Sequence, residues 1–449
     1  MKKLLKKLIP NWALSVYHWK WAFWGALVYG FPARRLKVIG VTGTKGKSTV
    51  VCLAGKILQE AGPSTSLGYK SCVGWISSLT ISDGKNEVMN PFHMTMPGRF
   101  FVQKTLRQMV KNGCEYALVE VTSEGVKQHR HRFINWAGVA FTNLAPEHLE
   151  AHGGFANYRA AKEKLFAAVA KNKESFGVYN LDDENVGEFL KYGVGKKIGF
   201  TRSPSTSLRS AQGILPEQGA EGDASKAMII NQISNIKLEA DNSEFEINGV
   251  KFRTNLLGEF NVYNAACAAA IGQACGVSLE EAALALGKIQ SIPGRLEIIN
   301  EEQNFTVVVD LAHTPDSFEK VFKLFQNLPH NKIISVFGSA GGGRDKWKRP
   351  ELGRIASENS DMVIICNEDP YDESPDEICQ QIAAGCKKTQ PEIILDRRQA
   401  IARGLSLAQT GDIVLFLGKG TEQTYVEGRK AMKWDDRDVA REELKKMKD

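Results

Sequence analysis

The stretch Val38-Ile-Gly-Val-Thr-Gly-Thr-Lys-Gly-Lys-Ser-Thr49 constrains this chain more than any other. A short apolar run, Leu36 to Val41, leads into it. A helix-period run of Val50, Leu53, Ala54, Ile57 and Leu58 leads out and stops at Gly62-Pro63. Strand, glycine turn and helix in that order are the context a phosphate-binding loop needs. Glycines let backbone N–H groups approach phosphate oxygens, and the helix N-terminus adds partial positive charge. Gly43, Thr44, Lys45, Gly46 and Thr49 are then expected to line ATP, with Lys47 on the β- and γ-phosphates and Ser48 holding Mg²⁺. The general G-x-x-x-x-G-K-[ST] pattern is not fully met, because Val41 stands at its first position.

At 449 residues the chain is too long for one ordinary domain. Its eight cysteines include no C-x-x-C pair, which argues against a zinc ribbon and fits a reduced, cytoplasmic chain. No secretory cleavage pattern and no apolar run of membrane-spanning length is present. The net charge of +7 is uneven: residues 1–37 hold six Lys, two Arg and no acid, and the remainder has 50 basic against 51 acidic residues. That excludes a basic nucleic-acid-binding domain. Trp12, Trp19, Trp21 and Trp24 also lie in this basic segment, with an apolar part at Trp21–Phe31. Two readings stand side by side: a membrane-interface contact of residues 1–35 at the inner membrane face, or a helix packed on the next domain.

Residues 38–291 read as a central ATP-binding domain. Tyr116–Val121 and Gly138–Thr142 are buried strands that place Glu120 and Asn143 at strand ends, where α/β sheets hold ligands. Asn157–Ala170 reads as a helix carrying Lys162. Residues 203–226 read as an exposed loop, and Ile236–Asn255 as a hairpin turning at Asn248-Gly249. Helices are expected over Ala265–Gly276 and Ser278–Gly287. From residue 292 the pattern restarts. Strands at Thr306–Asp310, Lys332–Gly338, Met362–Cys366, Glu392–Leu395 and Asp412–Leu417 alternate with helices at Asp316–Leu328, Arg349–Asn359, Asp376–Lys388 and Arg397–Gln409. The fold class is therefore α/β: a P-loop-type ATPase domain with a parallel sheet, then a Rossmann-like doubly wound domain over 292–449.

Taken in order, these segments resemble the Mur ligase family, ATP-dependent amide-forming enzymes of peptidoglycan precursor synthesis. The matching motifs begin with Thr42–Thr49, Glu120-Val-Thr-Ser-Glu124, Thr142–Gly153 and Asn157–Lys162. They continue with Gly258–Asn264, Pro293–Glu297, Asp310–Pro315, Lys348–Pro350 and Gly418–Glu422. The branch that adds the third residue to a muramoyl peptide is the nearest likeness. The resemblance implies two Mg²⁺ ions held by Ser48, Glu120, His148 and a carbamylated Lys162, the last three and Lys47 being catalytic. It implies that Asn261, Asn264, Arg295, Asp310 and His313 contact the nucleotide. The acceptor, a nucleotide-sugar peptide or related carboxylate, and the amino acid fall to Thr122, Ser123, Asn143, Arg344, Asp369, Pro370, Tyr371, Lys419 and Glu422. The chemistry agrees: phosphorylating a carboxylate makes it electrophilic toward an amine, and cations must bridge the two anions.

Two departures qualify the likeness. Only about 38 residues stand where the family's uridine-binding domain would be, and a lipid-linked or shortened substrate would suit the basic, Trp-rich start. Tyr371, in Asn367-Glu-Asp-Pro-Tyr371, stands where diaminopimelate-adding relatives carry an arginine. Without that guanidinium, lysine or ornithine is the expected amino acid. The alternatives are a folylpolyglutamate-like, poly-γ-glutamate-like or MurT-like ligase, or a membrane-associated nucleotide-binding protein without ligase activity.

Overall fold

A computed structural model describes residues 10–61, 72–92, 94–146, 153–203, 228–239, 241–428 and 430–448. The chain divides into two compact units between Gln290 and Ser291.

The first unit is built on an 11-stranded sheet. Its strands are β1 (Lys37–Thr42), β2 (Val73–Ile76), β3 (Thr80–Ser82), β4 (Glu87–Met89), β5 (Tyr116–Glu120), β6 (Trp136–Phe141), β7 (Phe176–Asn180), β8 (Lys196–Thr201), β9 (Ile229–Leu238), β10 (Ser243–Ile247) and β11 (Val250–Thr254). Across the sheet they run β11-β10-β9-β8-β7-β6-β1-β5-β2-β3-β4. The stretch from β9 to β2 is parallel throughout, and antiparallel strands finish both edges. Helices are α1 (Asn11–Val28), α2 (Lys47–Ala61), α3 (Arg99–Lys111), α4 (Ser123–Lys127), α5 (Phe155–Val169), α6 (Glu259–Ala274) and α7 (Leu279–Gly287).

β1 lies inside the sheet and is buried on both faces, which is why it reads as a continuous apolar run. Val38 joins a core with Val119, Val139, Phe141, Leu165 and Phe166. On α2, Val50, Leu53, Ala54, Ile57 and Leu58 are all buried, as their period predicts. The alanine-rich α6 packs on α2; small side chains let the two helices approach closely. α6 begins six residues before the expected Ala265, directly after Gly258 at φ +93°. Asn248 and Gly249, at φ +49° and +83°, make the expected hairpin turn between β10 and β11. β10 also pairs with β9, so the hairpin is part of a three-stranded meander.

At the N-terminus, hydropathy centred the apolar segment on Trp21–Phe31, whereas the helix spans Asn11–Val28. Gly30 (φ +70°), Phe31 (φ +49°) and Pro32 turn the chain out of it. Its inward face, with Ala22 and Ala26 buried, packs on α3. His18 bonds Arg99, and Ser15 Oγ meets His129 Nε2 at 2.8 Å. Burial, then Arg99, push the His18 imidazole down to about 4. Burial, then Arg132, push His131 to about 3. Both stay neutral in the fold, while the unfolded chain takes up protons below the ordinary value of 6.5. Stability is thus present above that pH and is lost as pH falls from 6.5 toward 4. The opening equilibrium of α1, taken from amide exchange corrected for the intrinsic rate at each pH, should rise across that window; a constant opening equilibrium would contradict these assignments.

The second unit holds a six-stranded sheet of β12 (Glu297–Ile299), β13 (Thr306–Asp310), β14 (Ile333–Phe337), β15 (Met362–Ile365), β16 (Glu392–Ile393) and β17 (Ile413–Leu417). The order is β12-β13-β17-β14-β15-β16, parallel except for β12. Helices α8 (Pro315–Gln326), α9 (Lys348–Asn359), α10 (Pro375–Ala383) and α11 (Arg397–Leu407) alternate with the strands. This is the doubly wound pattern expected from the sequence. A last helix, α12 (Asp436–Lys446), is tied to α11 by Arg397 and Asp436. Loops after β13, β14, β15 and β17 open on one edge of the sheet, where such folds hold ligands.

Candidate active site

The strand order sets the first group of residues. Val41 of β1 lies opposite Glu120 of β5 and Ala140 of β6. The glycine loop therefore opens between Glu120 on one side and Thr142-Asn143 on the other. Thr142 Oγ1 donates to Lys45 O at 2.7 Å. Asn143 grips the same peptide twice, its Oδ1 accepting from Lys45 N at 2.8 Å and its Nδ2 donating to Lys45 O at 3.1 Å. Gly43, at φ +151°, has no room for a side chain: a Cβ would sit 2.0 Å from Thr142 Oγ1. At Gly46, φ +80°, a Cβ would sit 2.2 Å from Asn264 Oδ1.

An oxygen-rich cluster forms where the loop becomes α2. Glu120 is buried, and its Oε2 accepts from Ser48 Oγ at 2.9 Å and from Ser78 N at 2.7 Å. Ser78 Oγ lies 2.7 Å from Ser48 Oγ. Lys47 Nζ stands 4.0 Å from Glu120 Oε1 and donates to Thr44 O at 2.7 Å. From α5, the buried Lys162 donates to Gly43 O at 2.6 Å and lies 4.5 Å over the Tyr158 ring. Thr44 Oγ1 meets Tyr158 Oη at 3.2 Å. Asn264 Nδ2 donates to Asn261 Oδ1 at 3.0 Å, and Asn261 Nδ2 to Leu257 O at 2.8 Å. Thr122 caps α4 by accepting from Gly125 N, with Ser123 buried behind it. Thr49 is buried in the first turn of α2. His148 lies outside the described residues.

Three participants were missed in the sequence. Ser78 follows the apolar run Val73–Ile76, and its Ser-Ser pair at a strand end was the available signal. Tyr158 precedes Lys162 by four residues, which puts both on one side of α5. Asp183, also missed, anchors the chain beyond Asn143 by accepting from Leu144 N at 2.7 Å; burial raises its pKa.

The second unit gathers two groups along its loop edge. Asp310 accepts from Leu296 N at 2.8 Å and Ala312 N at 2.7 Å. Burial raises its carboxyl pKa, and the Arg295 charge works against that rise. Arg295 Nε has no hydrogen-bond partner among the described residues. His313 Nδ1 lies 2.8 Å from Leu311 O, and Lys348 Nζ donates to His313 O at 3.0 Å.

Around β15 and β17, the fully buried Lys419 pairs with Asp369 at 2.9 Å and Glu422 at 3.0 Å. Val426 N fixes the other Asp369 oxygen at 2.7 Å. After Pro370, Tyr371 sits at φ +52°, with the Arg344 guanidinium 5.9 Å from its ring centroid. Lys346 and Arg349, the other bases of this region, each pair with Glu373 at 3.1 Å. Burial would raise the Glu373 carboxyl, but Arg349, Lys346 and Gly343 N bring it down to about 2. Buried Glu368 keeps one oxygen without a hydrogen-bond partner among the described residues; burial raises its pKa, against the pull of Arg397 and Lys419.

Arranged this way, the first unit can hold a nucleoside triphosphate and an oxygen-coordinated cation. The second presents a cluster of acidic and basic side chains, Glu368, Asp369, Glu422, Lys419 and Arg344, along its loop edge. Comparison with known proteins points the same way. Residues 41–272 match the Mur ligase middle domain, and residues 294–420 match the Mur ligase glutamate ligase domain. The UDP-N-acetylmuramyl-tripeptide synthetase of Borreliella burgdorferi is 36% identical over 425 residues, covering 92% of this chain and 78% of that protein. A UDP-N-acetylmuramoyl-L-alanyl-D-glutamate--2,6-diaminopimelate ligase from Geobacillus kaustophilus is 34% identical over 429 residues, covering 93% and 80%. A solved structure of a ligase with that same name superposes with a TM-score of 0.57 at 25% identity, over 92% of this chain and 79% of that one. Escherichia coli FolC, solved with DHPP and ADP, shares the fold at a TM-score of 0.61 and 16% identity, over 95% and 93%. The chain belongs to the Mur ligase family, the ATP-dependent, ADP-forming amide ligases.

Proposed function

We propose that this ligase joins lysine or ornithine to the free carboxylate of a UDP-muramoyl dipeptide or a close analogue, in peptidoglycan synthesis. The observation that carries the reading is the convergence of Ser48, Ser78, Glu120, Lys47 and Lys162 on one glycine loop. The names of the relatives, a UDP-N-acetylmuramyl-tripeptide synthetase and a UDP-N-acetylmuramoyl-L-alanyl-D-glutamate--2,6-diaminopimelate ligase, support the choice of step, and the choice of lysine or ornithine rests on this chain's own residues.

The chain's own groups divide the work. Backbone N–H groups of Gly43–Thr49 cradle the phosphates, held in shape by Thr142 and Asn143. Lys47 turns from Thr44 O to the γ-phosphoryl and neutralises the charge that develops as it moves to the acceptor carboxylate. The resulting acyl phosphate is attacked by the amino acid's amine; phosphate leaves, and the amide remains with ADP. Asn261 and Asn264 contact adenine, and Arg295, Asp310 and His313 are assigned to the nucleotide by the family likeness. Thr122, Ser123 and Asn143 face the acceptor.

Ser48, Ser78 and Glu120 offer the hard oxygen donors that Mg²⁺ takes. Held by these residues, the ion would supply positive charge against the phosphates and the charge that develops on transfer. Lys162 as an amine is a donor, already spent in part on Gly43 O. Carbamylation would add two anionic oxygens while keeping one N–H for that carbonyl, so the position suits both forms. His148, assigned to a second cation by the family likeness alone, lies outside the described residues.

Selectivity belongs to the second unit. The spare oxygen of Glu368, beside Asp369 and Glu422, favours a cationic side chain, and Arg344 takes the amino acid's carboxylate over the Tyr371 ring. The enzyme works in the cytoplasm, with residues 1–35 available to a membrane surface. ADP release is the test, measured with UDP-muramoyl-dipeptide and a panel of amino acids. Lysine or ornithine should exceed diaminopimelate by about tenfold or more in kcat/KM. Diaminopimelate as the best substrate would overturn the selectivity, and no amino-acid-dependent release would overturn the step.

A further inference from the structure

Helix α1 is apolar on two faces, and the described chain covers only one. The inward face packs on α3, and its flanks are held by aromatic contacts: Trp19 and Phe23 each lie 5.5 Å from Phe133, and Trp21 lies 5.8 Å from Phe100. At 100° per residue, the direction opposite Ala22 and Ala26 falls at Trp24, with Tyr17, Val28, Lys20 and Leu27 within about 60° of it. There Trp24 is 52% exposed, Tyr17 53% and Val28 63%, with Leu27 beside them, while the exposed Trp12 and Val16 lie on the flank. Lys20 is the one charged residue of the helix. A helix that is apolar all round is ordinarily buried. The uncovered patch amounts to several hundred Å², roughly the scale that marks an interaction surface.

Charge decides between occupants. No Asp or Glu occurs before Glu60 in the chain. Lys20, Arg34 and Arg35 are exposed on or just after the helix, and Lys2, Lys3, Lys6 and Lys7 precede it in sequence. Trp and Tyr favour the level of lipid headgroups, and basic residues are drawn to anionic lipid. A second copy of this chain would bring like charges together. No described helix is long and apolar enough to cross a membrane, and the packed inward face of α1 keeps it flat on its own domain.

We propose that α1 docks the protein on an anionic bilayer surface, lying in the headgroup layer with Tyr17, Trp24, Leu27 and Val28 downward. This sharpens the membrane contact named above and is independent of the ligation chemistry, so a vesicle assay without substrates tests it separately.

The full chain is mixed with sedimenting vesicles of phosphatidylcholine, either alone or with about one third phosphatidylglycerol. Binding should be at least about tenfold tighter to the anionic vesicles and should weaken with added salt. The triple variant Tyr17→Ser, Trp24→Ser, Val28→Ser should lose about tenfold or more of that binding. Its melting temperature should be retained, because all three side chains point away from α3. A second variant, Lys20→Glu with Arg34→Glu and Arg35→Glu, should weaken binding to anionic vesicles only. Absence of binding to anionic vesicles, or binding undiminished in the triple variant, overturns the proposal. So does a wild-type dimer in light scattering that the triple variant dissociates, since a second copy would then be the occupant.

Discussion

Replacing Lys162 with alanine should cut turnover by on the order of 10³-fold while the apparent affinity for ATP stays within about threefold. Lys162 is buried, reaches from α5 to Gly43 O at 2.6 Å, and lies over the Tyr158 ring. Those contacts put its Nζ at the start of the glycine loop, at the phosphate-binding end of β1. If its task is to meet charge that develops only during transfer, its loss falls on kcat. If it merely braces the loop through Gly43 O, the loop loosens, and ATP affinity falls together with kcat. Lys162→Met fills the volume but, like alanine, cannot donate to Gly43 O, so it separates loss of the ammonium from loss of packing: it should be as inactive as alanine while melting close to the wild type. Turnover near the wild-type rate in either variant would remove Lys162 from the mechanism.

A second large effect is expected far from the chemistry. Arg397→Ala should destabilise the second unit by about 3–5 kcal/mol in denaturant unfolding. Arg397 and Asp436 are both fully buried and make a two-pronged pair, 2.6 Å and 2.8 Å, while Arg397 Nη2 also donates to Leu417 O at 3.0 Å. Burial works against both charges, yet each sustains the other: Asp436 is held below the usual carboxylate range and Arg397 above its ordinary value. Truncating the arginine leaves Asp436 buried and uncompensated, which is where the cost arises. The pair joins α11 to α12 and reaches the last residue of β17, just before Gly418-Lys419. The variant should therefore also weaken amino-acid binding. A loss under about 1 kcal/mol would mean that water reaches the site and that the pair behaves as a surface bridge.

What the sequence disclosed follows the range of the forces involved. The glycine loop, the period of α2 and the Asn248-Gly249 turn are local, set by φ preferences and by spacing along one element. They appear in the structure where the sequence put them. Strand order is not local. Nothing in residues 73–78 announces that β2 lies beside β5, and only that pairing brings Ser78 N to Glu120. The extent of α1 was not legible for a related reason. Hydropathy weighted Trp21–Phe31, but backbone geometry at Gly30 and Phe31 ends the helix, and its start at Asn11 carries no strong local signal. In the second unit the alternation of strands and helices was plain. The commitment of Lys346 and Arg349 to Glu373, which leaves Arg344 beside Tyr371, needed the fold.

The acyl-phosphate route leaves an isotopic trace. With the acceptor's free carboxylate labelled with ¹⁸O, one turnover with ATP and lysine should move one labelled oxygen into the inorganic phosphate, read by mass spectrometry or by the ³¹P shift. Unlabelled phosphate accompanying amide formation would contradict the transfer to carboxylate that Lys47, Glu120 and Lys162 are here assigned to serve.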